Sequence, residues 1–229
     1  MRVRGWRAAG VILAWLLAGL AAPPVVAATA AAPDWREQVR ALAAAHFKNP
    51  AWGYSHAQRD YELARTLAAR DHVTLDDDVL FAAAFLHDMA AFAPWRDAKI
   101  DHADRAADLV GAVLKGTGFP MAKLAAVQGA IRTHMYQRTP VGPEALYLHD
   151  ADALDWLGMI GAARIFALVD PNGGKPTGPE AAATLATNLK EVPPRVFSPA
   201  GRALAAPRAE ELAEFLRRLR AESDDLGTL

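Results

Sequence analysis

Residues 81–88 read Phe81-Ala82-Ala83-Ala84-Phe85-Leu86-His87-Asp88, six apolar residues followed by a histidine and an aspartate. A helical stretch without a polar face is typical of a helix that is buried on all sides. Because an imidazole and a charged carboxylate are costly to bury singly, His87 and Asp88 need a compensating partner, and a bound cation supplies one. The stretch therefore predicts a buried helix that carries two polar side chains to an internal site.

On both sides of this stretch the chain shows repeated helix signals. Ser55 with Gln58 and Thr74 with Asp77 have the spacing of capping boxes, and Asp101 can cap the helix that follows it. Alternating β-branched and polar residues, which would indicate strands, are nearly absent. We therefore predict an all-α protein with one domain over residues 34–225. Its predicted helices cover residues 34–47, 55–69, 74–88, 101–115, 120–134, 143–169 (with a bend near 150–152), 179–191 and 208–223.

Two more polar residues share the character of the doublet. His56 begins an early helix, and Asp152 lies in a later apolar helix. Two imidazoles and two carboxylates form a mixed nitrogen and oxygen shell that suits a divalent transition metal (Mn, Fe, Co, Ni or Zn). Adjacent helical residues point about 100° apart, so His87 and Asp88 can share an ion only if it lies at the edge of their helix. Spacing alone leaves this open.

The chain resembles the HD superfamily of metal-dependent phosphohydrolases, whose pattern is a histidine, a later His-Asp doublet and a distant aspartate on a bundle of helices. The matching segments are Ser55-His56-Ala57-Gln58-Arg59, Ala84-Phe85-Leu86-His87-Asp88 and Asp150-Ala151-Asp152-Ala153-Leu154-Asp155. The resemblance runs from about Ser55 to Phe166. It is nearest to a branch of small HD hydrolases whose last motif reads Asp-Ala-Asp-Arg-Leu-Asp. Ala153 stands where that motif has arginine, so a phosphate contact of that arginine is not carried over.

The resemblance implies an HD-domain-like helical bundle with a metal ion at its centre. The implied metal ligands are His56, His87, Asp88 and Asp152. One ion is expected, and a second ion near His102 and His134 is the alternative.

The resemblance also implies hydrolysis of a small phosphorylated substrate, with nucleotides among the candidates. Asp88, His102 and His134 are then the expected catalytic residues. They would transfer the proton of the attacking water, and the two imidazoles suit this role because an imidazole titrates near neutral pH. The arginines expected to bind phosphate are Arg59, Arg105 and Arg132, although each also fits a solvated helix face.

Two other functions remain open at this point. Some HD proteins are di-iron oxygenases, and a histidine set that includes His102 and His134 is compatible with that chemistry. A non-catalytic sensing module with a structural metal is the other alternative. Iron content with oxygen consumption would indicate the first, and metal content without turnover the second.

The N-terminus predicts export. Arg2, Arg4 and Arg7 precede an acid-free apolar run from Ala8 to about Leu20, and small residues follow. This pattern predicts a signal peptide over residues 1–27, with cleavage after Ala27 or Ala30. We expect a periplasmic or secreted protein that is free of the membrane once cleaved; an uncleaved membrane anchor is the alternative.

Charge and composition restrict the partners. Without residues 1–27, the 25 basic and 26 acidic residues become 22 and 26, a net charge near −4. Nucleic acid is therefore not an expected partner, because its binding requires a concentrated basic surface. The chain has no cysteine, which excludes disulfides and thiolate metal sites. The oligomeric state stays undetermined.

Overall fold

A computed structural model describes residues 34–229 of the chain. The predicted signal peptide, residues 1–27, lies outside the described residues. Within them the chain contains α-helices, short 3₁₀ turns and no strand, which confirms the predicted all-α class. The helices are α1 (Trp35–His46), α2 (Tyr54–Arg70), α3 (Asp77–Leu86), α4 (His102–Leu114), α5 (Leu124–Arg132), α6 (Pro143–Asp155), α7 (Gly158–Phe166), α8 (Gly178–Glu191) and α9 (Pro199–Glu222).

Helix α3 is the centre of the bundle. Every residue of α3 from Val79 to Leu86 is buried, as the apolar stretch predicts. The helix contacts α1, α2, α5 and α6, and α2 also packs along α6. Three later helices, α7, α8 and α9, pack on one another; α7 and α9 contact α6, and α9 also contacts α2. This arrangement brings the start of α2 and the ends of α3 and α6 together inside the bundle.

Several helix boundaries differ from the predicted ones. Helix α2 begins at Tyr54 after Gly53, where a Cβ would lie 2.3 Å from the carbonyl oxygen of Asn49; Ser55 therefore lies inside the first turn. Helix α3 is capped by Asp76, whose carboxylate accepts hydrogen bonds from the backbone N–H groups of Asp78 and Val79. The side-chain cap of α4 by Asp101 is found as predicted.

The predicted helix over residues 143–169 is broken rather than bent. Helix α6 ends at Asp155, Leu157 is extended, and α7 begins at Gly158 with φ +66°, a backbone angle that favours glycine. The last helix starts at Pro199, nine residues before the predicted Arg208, and runs through Pro207. A proline inside a helix is uncommon, so the sequence pattern favoured a start after Pro207. None of the helices in the described part of the chain is long and apolar enough to cross a membrane.

Candidate metal centre

His56 enters the core from the first turn of α2. Its side chain is buried, and Nδ1 lies 2.9 Å from Oδ2 of Asp155 on α6. A carboxylate oxygen accepts hydrogen bonds, so Nδ1–H of His56 is the donor and the lone pair of Nε2 faces the interior. A carboxylate behind an imidazole is the usual arrangement at metal centres, where it fixes the ring and its tautomer.

The end of α3 allows the side chains of His87 and Asp88 to point to the same site, which adjacent residues inside a helix would not do. The helix ends at Leu86, and Asp88 has φ −96° and ψ 8°, so it no longer follows the helical path. Nδ1 of His87 lies 2.8 Å from the carbonyl oxygen of Ala84, to which it donates, and Nε2 lies 3.2 Å from Oδ2 of Asp88. The two neighbouring side chains therefore converge because the helix stops between Leu86 and Asp88.

The four predicted ligands come from two helices, α2 and α6, and from the two residues that follow the end of α3. His56 Nε2 lies 3.2 Å from Asp152 Oδ1, 3.3 Å from His87 Nε2 and 3.7 Å from Asp88 Oδ2. Two ligand atoms that bind one first-row ion at about 2.1 Å and at right angles lie about 3 Å apart. The observed separations are close to this value.

The donor set fits a divalent cation. Because both Nδ1 atoms donate to oxygen, the Nε2 lone pairs of His56 and His87 point at each other across 3.3 Å. Two carboxylates face the same space. Such a collection of lone pairs and negative charge is unfavourable by itself and favourable around a cation. Nitrogen and oxygen donors together are suited to Mn, Fe, Co, Ni or Zn.

The pKa shifts of the two imidazoles also indicate a site that favours a cation. Burial by itself lowers the pKa of His87, but Asp88, Asp60 and Asp152 face it and raise that pKa to about 10. Burial also lowers the pKa of His56, and here too the neighbouring carboxylates, Asp60 first, produce a net rise. The cluster therefore attracts positive charge, and a proton competes with a metal ion for the imidazoles.

Asp60 is a member of the cluster that the sequence analysis missed. It is fully buried on α2, and neither carboxylate oxygen has a hydrogen-bond partner within residues 34–229. Its Oδ2 lies 3.1 Å from Nε2 of His56 and 3.8 Å from Nε2 of His87. Burial raises the pKa of Asp60 to about 7. Its spacing from His56, i and i+4 on one helix face, is a signal that the sequence did contain.

Asp155 supports the centre from behind and was also missed. Besides His56, it accepts hydrogen bonds from Nε and Nη2 of Arg59 and forms an ion pair of 3.0 Å with Arg164. Burial alone would raise the pKa of this carboxyl, but hydrogen bonds from His56 and Arg59 hold it well below its usual range. The guanidinium of Arg164 lies 3.8 Å above the ring of Trp156. Asp155 follows Asp152 by one helical turn, so spacing could have indicated it.

His102 and His134 contact the other oxygen of Asp88. Their Nε2 atoms lie 3.2 Å and 3.7 Å from Asp88 Oδ1, while Oδ2 faces His56 and His87. His134 is buried, and burial together with nearby His87 lowers its pKa to about 4. Its hydrogen bond with Asp88 raises the pKa of His102, which is about one third exposed. The three predicted catalytic residues thus form one contiguous group.

A cavity of about 710 Å³ opens on this group. Asp88, Asp152, His102 and His134 form its metal end. Its wall also contains three aromatic side chains and two amides, namely Trp52, Tyr136, Trp156, Gln137 and Asn188. The amide nitrogen of Asn188 is buried without a hydrogen-bond partner among the described residues, although the side chain lines the cavity. No motif in the sequence indicated Asn188.

The three arginines expected to bind phosphate do not line this cavity. Arg59 pairs with Asp155 on the opposite side of the centre. The Nε of Arg105 donates to the carbonyl oxygen of Trp95, and Arg132 pairs with acidic residues of α4. Of the described residues that line the cavity, Arg96 is the one with a permanent positive charge, and it is exposed. The expected phosphate-binding arginines thus lie away from the cavity, because each of them binds another residue of the helical bundle instead.

Fold and cluster together define an all-helical protein with a buried histidine and aspartate centre of the kind that holds a divalent cation. The family model described as "HD domain" matches residues 53–157, which contain all four predicted ligands. Residues 53–157 are therefore an HD domain, and the protein is an HD-superfamily hydrolase. The predicted family and its enzyme class are thereby confirmed.

Solved structures of similar proteins share this fold. A predicted HD superfamily hydrolase from an uncultured Thermotogales bacterium is 28% identical, with a TM-score of 0.58 over 82% of this chain and 90% of that one. YpgQ from Bacillus subtilis, determined in complex with ADP, is 22% identical, with a TM-score of 0.60 over 82% and 97% of the two chains. An HD-superfamily hydrolase from Bacillus thuringiensis is 21% identical, with a TM-score of 0.53 over 75% and 86%. No curated protein sequence matches the chain.

Proposed function

We propose that this protein is a metal-dependent phosphohydrolase that hydrolyses a small phosphoester, with nucleoside phosphates as the first candidates. The observation that carries the proposal is the position of Asp88. One of its oxygens faces His56 and His87, and the other faces His102 and His134 at the inner end of the cavity. A cation beside Asp88 would therefore be within reach of a molecule in the cavity.

The residues that would hold the cation are His56, His87, Asp88 and Asp152. When bound, a divalent ion of this kind makes a water molecule more acidic and polarises a phosphoryl oxygen. His102 and His134 lie on the cavity side of Asp88, where they can donate or accept a proton during attack on phosphorus. Asp155 holds the ring of His56 in the orientation that directs Nε2 to the centre.

Size and surface of the cavity support a substrate of nucleotide dimensions. Ligand sites commonly enclose about 300–1,000 Å³ and combine apolar walls with a few polar groups. The aromatic side chains of Trp52, Tyr136 and Trp156 offer flat surfaces for a ring, and Asn188 offers an amide. YpgQ, which shares the fold, binds ADP in its crystal structure, and this favours nucleoside phosphates for the first assays.

The proposed location is the periplasm or the extracellular space. It rests on the three arginines, the apolar run and the small residues within residues 1–30. Expression of the full chain with detection of the processed N-terminus by mass spectrometry tests this part separately from the activity.

The test of the function is a phosphate-release assay with the mature protein after loading with Mn²⁺, Co²⁺ or Zn²⁺. Phosphomonoesters and nucleoside mono-, di- and triphosphates form the substrate panel. Hydrolysis should require metal and be lost in the Asp88→Ala protein, since this change removes both a ligand and the contact to His102. Full hydrolysis by that variant would contradict the mechanism.

A di-iron oxygenase is a second candidate because of one observation. Asp88 has one oxygen toward each pair of histidines, an arrangement in which a carboxylate can bridge two ions. Two irons per chain with oxygen consumption would favour the oxygenase. One ion per chain with release of phosphate would favour the hydrolase.

A further inference from the structure

We propose that Asp60 is a fifth metal-binding residue of this protein, so that the centre consists of three carboxylates and two imidazoles. The inference depends on the metal centre proposed above. It concerns a residue outside the three matching motifs, which contribute His56, His87, Asp88 and Asp152.

The first argument is the state of the Asp60 carboxylate in the protein alone. It is fully buried, and both oxygens lack a hydrogen-bond partner among the described residues. Its Oδ2 lies 3.1 Å from His56 Nε2, which carries a lone pair in the neutral ring, because Asp155 holds the single proton on Nδ1. Buried carboxylates are normally paired, hydrogen-bonded or bound to metal. For Asp60 the partner is a cation shared with the imidazoles, either a proton on one of them or the metal ion that displaces this proton.

The second argument is position. The donor atoms of His56, Asp60, His87 and Asp152 all lie within 4.8 Å of one another. Asp60 Oδ2 is 3.1 Å from His56 Nε2 and 3.8 Å from His87 Nε2, similar to the spacing of Asp152 and Asp88 from the same atoms. A cation within bonding distance of both imidazoles therefore lies within reach of Asp60 as well.

The third argument is the side from which Asp60 approaches. It lies one turn after His56 on α2 and does not line the cavity, whereas Asp88 and Asp152 do. Binding by Asp60 would thus leave the cavity side of the ion free for water and substrate. An open position on that side is a requirement of a catalytic metal site.

A third carboxylate changes which metal is preferred. Carboxylate-rich sites suit Mn²⁺, whereas imidazole-rich sites suit Zn²⁺ and similar ions. Loss of Asp60 should therefore weaken Mn²⁺ binding more than Zn²⁺ binding.

The experiment measures Mn²⁺ and Zn²⁺ affinity of metal-free wild type, Asp60→Asn and Asp60→Leu by calorimetric titration, together with melting temperatures with and without metal. We expect Mn²⁺ affinity to fall at least about tenfold in both variants, with a smaller loss for Zn²⁺. Without metal, Asp60→Leu removes both the cost of burying a carboxylate and its attraction to His56 and His87, so the change in melting temperature should be smaller than the loss of Mn²⁺-dependent stabilisation. With saturating Mn²⁺ the Asp60→Leu protein should gain less stability than wild type.

Asp150→Asn is the matched control. Asp150 is equally buried, but the backbone N–H groups of Phe197 and Ser198 donate to it. This variant should lower the melting temperature with and without metal and leave Mn²⁺ affinity unchanged. Wild-type Mn²⁺ affinity in both Asp60 variants would overturn the inference, whereas failure of wild type to bind either metal would overturn the proposed centre itself.

A Mn²⁺-loaded crystal of the wild-type protein gives a test without any substitution. An Asp60 oxygen at about 2.2 Å from the ion is expected. A separation beyond about 3 Å would overturn the inference even if neither variant folds.

Discussion

Asp155 Oδ2 lies 2.9 Å from Nδ1 of His56, although the two residues are 99 positions apart in the chain. The contact decides which nitrogen of His56 carries the proton, and therefore which one faces the centre. Arg59 and Arg164 hold Asp155 in place. Asp155, which is not among the predicted metal ligands, thus controls the orientation of His56, which is one of them.

Substitution of Asp155 by asparagine should weaken metal binding about 10- to 100-fold. An amide keeps the shape of the side chain but removes the charge that favours the Nδ1–H tautomer of His56. Mn²⁺ titration of the metal-free variant is the measurement. Asp225→Asn, at an exposed aspartate near the C-terminus, is the control and should bind as wild type does; equal affinity in both variants would show that Asp155 does not orient His56.

Stability of the metal-free protein should fall as pH rises from 6.5 to 9. The pKa of His87 is raised from 6.5 to about 10, so between these values the folded protein binds more protons than the unfolded chain. The stabilisation is complete below pH 6.5 and is lost as pH approaches 10. The pKa values of His56 and His102 are also raised and act in the same direction.

Urea unfolding at several pH values, with and without Zn²⁺, measures this dependence. Bound metal replaces the proton on His87, so the free energy of unfolding of the loaded protein should change less over the same range. Rising stability of the metal-free protein toward pH 9 would mean that the carboxylates do not act on His87 as the structure indicates.

Arg96 should contribute to substrate binding more than the arginines indicated by sequence. It lines the cavity and forms no ion pair with the described residues, whereas Arg132 pairs with Asp104 and Asp108. For a phosphorylated substrate, Arg96→Gln should raise KM by about tenfold with little change in kcat. Arg132→Gln is the control and should leave KM near the wild-type value; the reverse result would restore Arg132 as a substrate ligand.

Asn188 should show opposite effects on stability and on substrate binding. Its amide nitrogen is buried at the cavity wall and has no hydrogen-bond partner in the described part of the chain. Replacement by leucine should leave the free energy of unfolding unchanged or raise it by up to about 1 kcal/mol, because an unsatisfied donor disappears. The same change should raise KM for the preferred substrate. If KM stays constant while stability rises, the amide does not contact substrate.

The sequence was sufficient for features that depend on neighbours along the chain. Residues 81–88 indicated a buried helix, and the periodic apolar positions indicated an all-α protein; both are found. His56 and Asp60 lie one helical turn apart, as do Asp152 and Asp155, so these pairs were readable in principle. The reason is that helix geometry fixes which side chains share a face within one or two turns.

Only the tertiary structure determined which atoms meet across helices. The sequence could not show that Arg59 supports Asp155 behind the centre, or that Arg96 and Asn188 face the cavity. Nor could it show that α3 stops at Leu86, which lets His87 and Asp88 converge. Such contacts depend on how whole helices pack and where each one ends, and many distant side chains decide this together. Local periodicity therefore predicted the helices and several candidate ligands. Packing alone determined how these ligand side chains are arranged and which residues line the cavity.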